Sequence, residues 1–232
     1  MSAEAAGLQV DVVRVFCDDR GGHGNPLGVV LDGGACPAAE ERQEIAFELG
    51  FSETVFVDDR RAGALRIFTP EHELPLAGHP LVGAAWLLAE RGDRVHQLRP
   101  PAGVVPCGLD GGGAWIDALP KWAPPWRLRP LSTPDDVDAI DADAEPDDTL
   151  DYAWAWIDEP AGIVRARSFV KEHGIVEDEA TGSAALRLCD ALGGPLEIRQ
   201  GRGSVILASP MGNGRVRVQG RVVFDETLTL AR

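Results

Sequence analysis

The chain has 232 residues, with 22 Lys and Arg against 37 Asp and Glu, so its formal net charge is −15. A surface of that charge repels phosphates, which argues against nucleic acid as a partner. The sequence lacks an apolar run of the ~18 residues that a membrane span needs, so we expect no such span. Its first residues also lack the basic and then apolar pattern of a secretory signal.

The four cysteines, Cys17, Cys36, Cys107 and Cys189, are scattered without the close spacing of a zinc site or a disulfide framework. We therefore expect reduced thiols and a cytoplasmic protein. The glycine-rich and metal-binding motifs of the common cofactor enzymes are also missing from the sequence, so neither a metal nor an organic cofactor is expected.

In chain order, the first half alternates short strands with two helices. Gly50 stands where a helix commonly ends with a glycine, and residues 53–58 and 64–68 flank a polar turn, which predicts a hairpin. The predicted strands are Val10–Cys17, Leu27–Leu31, Glu53–Asp58, Ala64–Phe68, Val95–Arg99, Val104–Leu109 and Ala114–Ala118, and the predicted helices are Ala38–Leu49 and Pro80–Glu90.

Residues 121–150 are rich first in Pro and Trp and then in acidic residues, and they predict a linker with a short helix around 134–140. This divides the chain into an N-terminal half, 1–120, and a C-terminal half, 151–232. The predicted strands of the second half are Tyr152–Ile157, Ile163–Val170, Leu196–Arg199, Ser204–Ala208, Arg215–Gln219 and Arg221–Leu230, around a predicted helix, Thr181–Leu192.

Two stretches roughly 100 residues apart match in order, which is typical of a duplication. Phe68–Gly92 and Phe169–Gly193 both begin Phe-x-x-Glu-His, pass through a small-residue turn into an apolar helix, and end in Gly. A helix that is apolar nearly all round is buried. The sequence therefore predicts an α+β fold of two pseudo-symmetric halves, each a barrel-like sheet around a central helix, with a short gap at an unknown place in the repeat.

Two residues of the first half are candidates for acid/base chemistry. Glu53 opens an apolar strand, where a carboxyl group acquires a raised pKa, although a solvated loop glutamate is the alternative interpretation. His79 lies at the amino end of a buried helix, whose dipole disfavours the imidazolium, so we expect a neutral ring. Its alternative role is to cap its own helix.

In the second half, an acidic and small-residue turn leads into the buried helix. We expect Thr181 to cap that helix through its hydroxyl group. Asp178 has two possible roles: its carboxylate interacts with the positive end of the helix dipole, or it is a functional group of the site. Ser183 has no Gly-x-Ser-x-Gly frame, so we expect it to bind an anion rather than act as a nucleophile. If the halves pack about a pseudo-dyad, Glu53, His79, Asp178 and Ser183 share one cleft.

Five motifs occur in order along the chain. Through them the sequence from about residue 8 to the C-terminus resembles the phenazine biosynthesis (PhzF-like) isomerases, which are related in fold to diaminopimelate epimerase. The motifs are GNPLGVV at 24–30, SETxFV at 52–57, FTPxxELPxAGHP at 68–80, EDxATGSA at 177–184 and QG at 200–201. The resemblance implies a cofactor-independent isomerase that moves a proton between carbons of a small, possibly cyclic, carboxylic acid.

The resemblance also implies residue roles and a homodimer. Glu53 matches the family's general acid/base, and His79 and Asp178 match groups that position the substrate and assist the transfer. The candidate substrate-binding residues are Ser52, Gly78, Gly182 and Ser183.

Glu179 departs from the family pattern, which usually has Pro there, and it adds a negative charge beside the expected anion site. The short loop after Gln200-Gly201 is a second departure. A different class of function is therefore carried as an alternative: a non-catalytic member that binds a metabolite or a protein in the same cleft.

Overall fold

The computed structural model describes residues 7–147, 150–171 and 175–231. Within these residues the chain forms fifteen β-strands, four α-helices and three short 3-10 helices. The strands are β1 (Leu8–Cys17), β2 (Asn25–Val30), β3 (Glu53–Asp59), β4 (Ala64–Phe68), β5 (Glu73–Leu74), β6 (Gln97–Leu98), β7 (Val105–Asp110), β8 (Gly113–Ala118), β9 (Arg127–Pro130), β10 (Asp151–Asp158), β11 (Ile163–Val170), β12 (Ile175–Asp178), β13 (Leu196–Gln200), β14 (Ser204–Pro210) and β15 (Val216–Leu230). The α-helices are α1 (Ala39–Leu49), α2 (Gly78–Glu90), α3 (Pro134–Asp138) and α4 (Gly182–Leu192), and the 3-10 helices are Gly33–Ala35, Pro120–Trp122 and Ala142–Ala144.

Helices α2 and α4 are the centres of the two halves. Ten of the thirteen residues of α2 are buried, and the helix packs against β1, β2, β3, β7, β8 and β15. Helix α4 packs against β14, β15 and the 3-10 helix at Pro120–Trp122. A continuous apolar cluster includes side chains from both helices. Burying this apolar surface is the main stabilising term for each half.

The strand order around the two central helices is the same. Strands β2 to β5 pair in sequence, first in parallel and then twice antiparallel, and strands β9 to β12 repeat that pattern. After each helix, β6–β7–β8 and β13–β14–β15 are antiparallel. The α+β fold of two pseudo-symmetric halves is therefore confirmed, and so is the predicted hairpin of β3 and β4.

The structure also places the gap in the repeat. Gly182 follows the opening Phe169 by 13 residues in the second stretch, whereas Gly78 follows Phe68 by 10 residues in the first. The helices reverse the difference, because Gly193 follows Gly182 by 11 residues and Gly92 follows Gly78 by 14. The turn before α4 is thus three residues longer, and the helix with its closing glycine is three residues shorter.

Strand β15 replaces the two strands predicted at 215–219 and 221–230. Its first part pairs with β8 and β14, and its second part pairs antiparallel with β1. Gly220, at which the sequence predicts a break between two strands, lies where these two parts of β15 join. A Cβ there would be 2.4 Å from the Phe16 ring, so glycine serves a close approach rather than a turn. The division at residues 120 and 150 stays a prediction.

The predicted linker contains one strand that the sequence pattern missed, β9, and the short helix that it predicted, α3. Strand β9 pairs in parallel with β10, although its sequence, RLRP, contains two arginines, a proline and a single aliphatic residue. Helix α3 begins with a capping box between Thr133 and Asp136. Residues 148–149 of the linker, and Glu172 and His173 of the repeated Glu-His motif, lie outside the described residues. Every helix in the described ranges is too short or too polar to span a lipid bilayer.

Candidate active site

The amino ends of α2 and α4 meet glycine to glycine. A Cβ on Gly78 would lie 2.7 Å from the Cα of Gly182, and a Cβ on Gly182 would lie 2.8 Å from the Cα of Gly78. Neither distance leaves room for a side chain, so both positions require glycine. The contact brings the polar residues of the two helix-entry turns together.

Glu53 opens β3, directly after the turn that follows α1. Helix α1 ends as predicted, with Gly50 in the left-handed conformation at φ 66°. The Glu53 side chain is 15% exposed. Burial raises the pKa of this carboxyl group to about 7, and a hydrogen bond from Ser52 only partly opposes that shift. Glu53 is therefore a buried carboxyl group that exchanges a proton near neutral pH, not a solvated loop glutamate.

His79, the second residue of α2, is neutral, as the sequence predicts, but for a different reason. Its side chain is 3% exposed, and burial lowers the pKa of the imidazole to about 4. The ring is hydrogen-bonded to the backbone of Pro26. Proline has no amide N–H, so an imidazole N–H must donate to the Pro26 carbonyl.

The other ring nitrogen of His79 faces Glu53. Nε2 lies 3.5 Å from Glu53 Oε2, and neither atom has a hydrogen-bond partner among the described residues. The Pro26 bond thus uses Nδ1–H and leaves a lone pair on Nε2. Since the ring is neutral, the contact is not an ion pair. Only a protonated Glu53 can donate to this lone pair, which favours the neutral carboxyl group.

Asp178, at the end of β12, is held by residues of both halves. Asn25 Nδ2 donates to its Oδ1 at 2.6 Å, and Thr181 Oγ1 donates to its Oδ2 at 2.5 Å. Burial and then the nearby Glu53 charge raise the pKa of Asp178, against the effect of His79 and these two bonds. The Thr181 side chain makes no capping bond to α4, so the predicted cap is wrong; its hydroxyl group binds Asp178 instead.

Two polar residues that the sequence did not single out as site residues complete this network. Gln200 is fully buried; its amide N–H₂ donates to the Asp178 carbonyl and to Thr181 Oγ1, each at 2.9 Å, and its Oε1 accepts from Thr181 N and Tyr152 Oη. Asn25 Oδ1 lies 3.2 Å from Ser52 Oγ, whose single proton it shares with the Glu53 carboxyl group, and so it links the Glu53 segment to Asp178. Both residues lie in sequence motifs, Gly24–Val30 and Gln200-Gly201, which were the available signal.

A small cavity brings most of the candidate residues together. Its volume is about 70 Å³, or space for roughly two water molecules at their volume in the liquid. Of the predicted site residues, His79, Gly78 and Gly182 do not form its wall. The lining residues are Ser52, Glu53, Thr69, Leu74, Leu76, Ala77, Pro124, Trp126, Val170, Ile175, Asp178, Thr181 and Ser183.

A larger groove, of about 700 Å³, lies elsewhere and shares no lining residue with this cavity. It includes Trp86, Asp110 and Arg199 but none of the candidate catalytic groups. All four cysteines are buried, and none lines the small cavity, so a mechanism based on paired thiols has no residues there.

Glu179 binds the short loop after Gln200 rather than standing free beside the helix end. Its carboxylate accepts from Arg202 N at 3.1 Å and from Ser204 Oγ at 2.9 Å, and the Arg202 guanidinium lies 3.3 Å away. A Cβ on Gly201, which has φ 59°, would lie 2.5 Å from the Glu179 carboxylate. The acidic residue and the short loop are therefore one local arrangement.

Comparisons with known proteins agree with this architecture. The sequence profile of the phenazine biosynthesis-like protein family matches residues 13–124. A trans-2,3-dihydro-3-hydroxyanthranilate isomerase from Pseudomonas fluorescens is 33% identical over 86% of this chain and 91% of its own length. A phenazine biosynthesis protein of the PhzF family from Bacillus anthracis has a TM-score of 0.76 at 20% identity, covering 96% of this chain and 98% of that one. A hydroxyproline epimerase from Agrobacterium vitis has a TM-score of 0.60 at 13% identity, covering 98% and 93%.

Proposed function

The chain belongs to the phenazine biosynthesis-like (PhzF) family, and several of its curated relatives are named isomerases. We propose that it moves a proton between two carbons of a small carboxylic acid without a cofactor. The observation that carries the proposal is the facing pair of Glu53 Oε2 and His79 Nε2, buried and without other partners in the described part of the chain. Buried, unpaired polar atoms are costly, and they are typical of sites that bind a ligand or transfer a proton.

In this proposal Glu53 is the acid and the base. Its ionised carboxylate takes a proton from one carbon, and the electron pair of that C–H bond moves into the adjacent carbon–carbon bond. The neighbouring double bond shifts toward a second carbon, which receives the proton from the Glu53 carboxyl group. A pKa of about 7 suits both steps, because neither form of the group is strongly favoured at neutral pH.

His79 and Asp178 support this transfer in different ways. Between the two steps the protonated Glu53 carboxyl group donates a hydrogen bond to the lone pair on His79 Nε2, which keeps the carboxyl group oriented while the proton stays on Glu53. Asp178 is fixed by Asn25 and Thr181 on the cavity wall and accepts a hydrogen bond from a polar group of the substrate. Positioning of this kind accounts for a large part of the rate in proton-transfer enzymes.

The small volume of the cavity favours a small acid as the substrate. About 70 Å³ is far below the ~300–1,000 Å³ of sites for drug-sized ligands. The first compound to test is trans-2,3-dihydro-3-hydroxyanthranilate, a cyclic acid that the Pseudomonas fluorescens relative isomerises by name. A panel of smaller unsaturated cyclic and open-chain acids follows.

The decisive experiment is exchange of substrate hydrogen with solvent deuterium, followed by NMR. We expect exchange with the wild type and a loss of about 10²- to 10⁴-fold in Glu53→Gln, because the variant keeps the shape of the side chain but not its proton chemistry. Substrate affinity should change little. Exchange by Glu53→Gln at the wild-type rate would remove Glu53 from the mechanism.

The alternative, a non-catalytic binding protein, rests on the small volume of the cavity. It predicts that acids bind and shift resonances of the cavity residues while no compound of the panel exchanges hydrogen. A homodimer is part of the proposal, supported by the exposed side chains of Phe47 and Leu109, at 73% and 46%, and by the open strand edges. A cytoplasmic location is also part of the proposal, because the four cysteines are free thiols. Light scattering that gives the mass of one chain at micromolar concentration would argue against the dimer.

A further inference from the structure

Trp126 of the segment between the halves is fixed on the wall of the cavity. Its indole Nε1–H donates to Ser183 Oγ at 3.2 Å, and its ring meets the Tyr152 ring edge-on at 6.2 Å. The Arg187 guanidinium holds the preceding backbone by donating to the carbonyl groups of Ala123 and Pro124, at 2.7 and 3.1 Å. These contacts all come from the second half, so the indole is a rigid part of the site.

The bond to Trp126 decides what the Ser183 hydroxyl group can do. An indole N–H only donates, so Ser183 Oγ must be the acceptor and its own proton must point elsewhere. None of the described residues accepts that proton, and Ser183 lines the cavity. The hydroxyl group is therefore arranged as a donor toward a ligand in the cavity.

The charges on the cavity wall limit which ligand that is. Glu53 and Asp178 are the acidic lining residues, and among the described residues no Lys or Arg lines the cavity. A second anionic group on the ligand would meet two carboxyl groups and no cation. Apolar side chains, including Leu74, Leu76 and Trp126, supply the remaining wall.

We propose that Trp126 is a positioning and specificity residue: its N–H sets the Ser183 hydroxyl group as the donor to a ligand carboxylate, and its ring favours a flat, apolar ligand. Glu53 and Asp178 beside it disfavour the further negative charge of dicarboxylates and phosphates. This inference rests on the proposed function only in that the ligand is a carboxylate. It makes no use of proton transfer by Glu53.

Binding of benzoate and of its neutral analogue benzamide, measured by calorimetry, tests the inference. Trp126→Phe keeps the ring and removes the N–H; we expect it to weaken benzoate binding roughly tenfold, as expected for one hydrogen bond to a charged group, and to weaken benzamide binding much less. Ser183→Ala should have the same effect. The double variant should bind benzoate no more weakly than Ser183→Ala, because the indole acts through the hydroxyl group.

An independent readout is the indole ¹H–¹⁵N resonance of Trp126, identified by its loss in Trp126→Phe. It should move in Ser183→Ala without ligand, and it should move again when benzoate binds the wild type. Trp156→Phe is the matched control, since Trp156 meets the Trp154 ring edge-to-face and does not line the cavity.

Four results would each overturn the inference. The first two are additive losses in the double variant and equal weakening of benzoate and benzamide binding by Trp126→Phe. The others are tighter binding of succinate or inorganic phosphate than of benzoate, and no benzoate binding by the wild type. Failure of the proposed function gives a different result, namely intact benzoate binding with no hydrogen exchange on any substrate.

Discussion

The amino ends of α2 and α4 share a backbone arrangement and differ in chemistry. Each begins with a glycine that touches the other, and the next residue is His79 in the first half and Ser183 in the second. His79 is a buried neutral imidazole against Glu53, whereas Ser183 is a hydroxyl group held by Trp126. The comparison teaches that the duplication supplied a shared frame, and that the side chains one residue further on gave its two ends separate tasks.

The carboxyl groups of the site are not related by the duplication. Glu53 lies at the start of β3, which corresponds to β10, while Asp178 lies at the end of β12, which corresponds to β5. A symmetric site would place like groups on both sides of a ligand. Here one carboxyl group has its own imidazole neighbour, and the other is held by hydrogen bonds, so their roles differ.

The turns before the two helices are tied down by different chemical groups. Pro75 and Glu179 each lie three residues before the first helical glycine. In the first half the Pro75 carbonyl accepts from Ala102 N at 3.0 Å; in the second the Glu179 side chain accepts from Arg202 N at 3.1 Å. Ala102 N and Arg202 N are equivalent amides of the two halves, and both are hydrogen-bonded. The Glu179 side chain therefore takes the place of the backbone carbonyl that serves as acceptor in the first half.

The largest expected effect comes from separating the two helix ends. In Gly182→Ala the new methyl group would lie 2.8 Å from Gly78 Cα, and overpacking of this kind costs about 3 kcal/mol. A shift of ~1 Å also lowers activity by about 100-fold. Urea denaturation and hydrogen exchange measure both effects. Gly194→Ala, with nothing within 4 Å of the new methyl group, is the control, and equal behaviour of the two variants would contradict the contact.

The next effect in size should follow from replacing the Glu53 carboxyl group, which faces His79 at the amino end of α2, with a neutral amide. The pKa of Glu53 is 4.5 in the unfolded chain and about 7 in the folded one, so the folded state binds more protons between these values and loses stability as pH rises through them. Glu53→Gln removes this loss, and it should be more stable than the wild type by about 3 kcal/mol above pH 7.

That gain should vanish below about pH 4.5, where Glu53 is protonated in both states. The lowered pKa of His79 has the opposite sign, since it adds stability as pH rises from about 4 to 6.5. The His79 contribution is common to both proteins and cancels in the difference between their denaturation curves. A difference that does not depend on pH would show that Glu53 is solvated.

The smallest effect concerns the turn before α4. Glu179→Ala leaves Arg202 N without its acceptor and should cost about 1 kcal/mol of unfolding free energy. Glu179→Gln keeps an acceptor oxygen and should cost less. Chemical denaturation compares the two variants, and an equal loss in both would assign the effect to charge rather than to the turn amide.

The sequence by itself determined the fold class and the place of the central helices. The repeat of Phe68–Gly92 in Phe169–Gly193 and the apolar character of both helices are local patterns, and local patterns reflect burial and chain reversal directly. The same patterns missed β5, β9 and β12, which are short strands specified by their pairing partners rather than by their own residues.

Only the tertiary structure decided the chemistry of the cleft. The pKa of Glu53 depends on burial that neighbours along the chain do not show, and His79 is neutral because it is buried rather than because of its helix dipole. Thr181 looks like a helix cap, but its hydroxyl oxygen accepts from Gln200 rather than from a backbone amide of α4, and its hydroxyl proton is donated to Asp178. Trp126 reaches Ser183 across 57 residues of sequence, and a hydrogen bond of that range follows from packing of the linker on the second half and leaves no periodic signal in the chain.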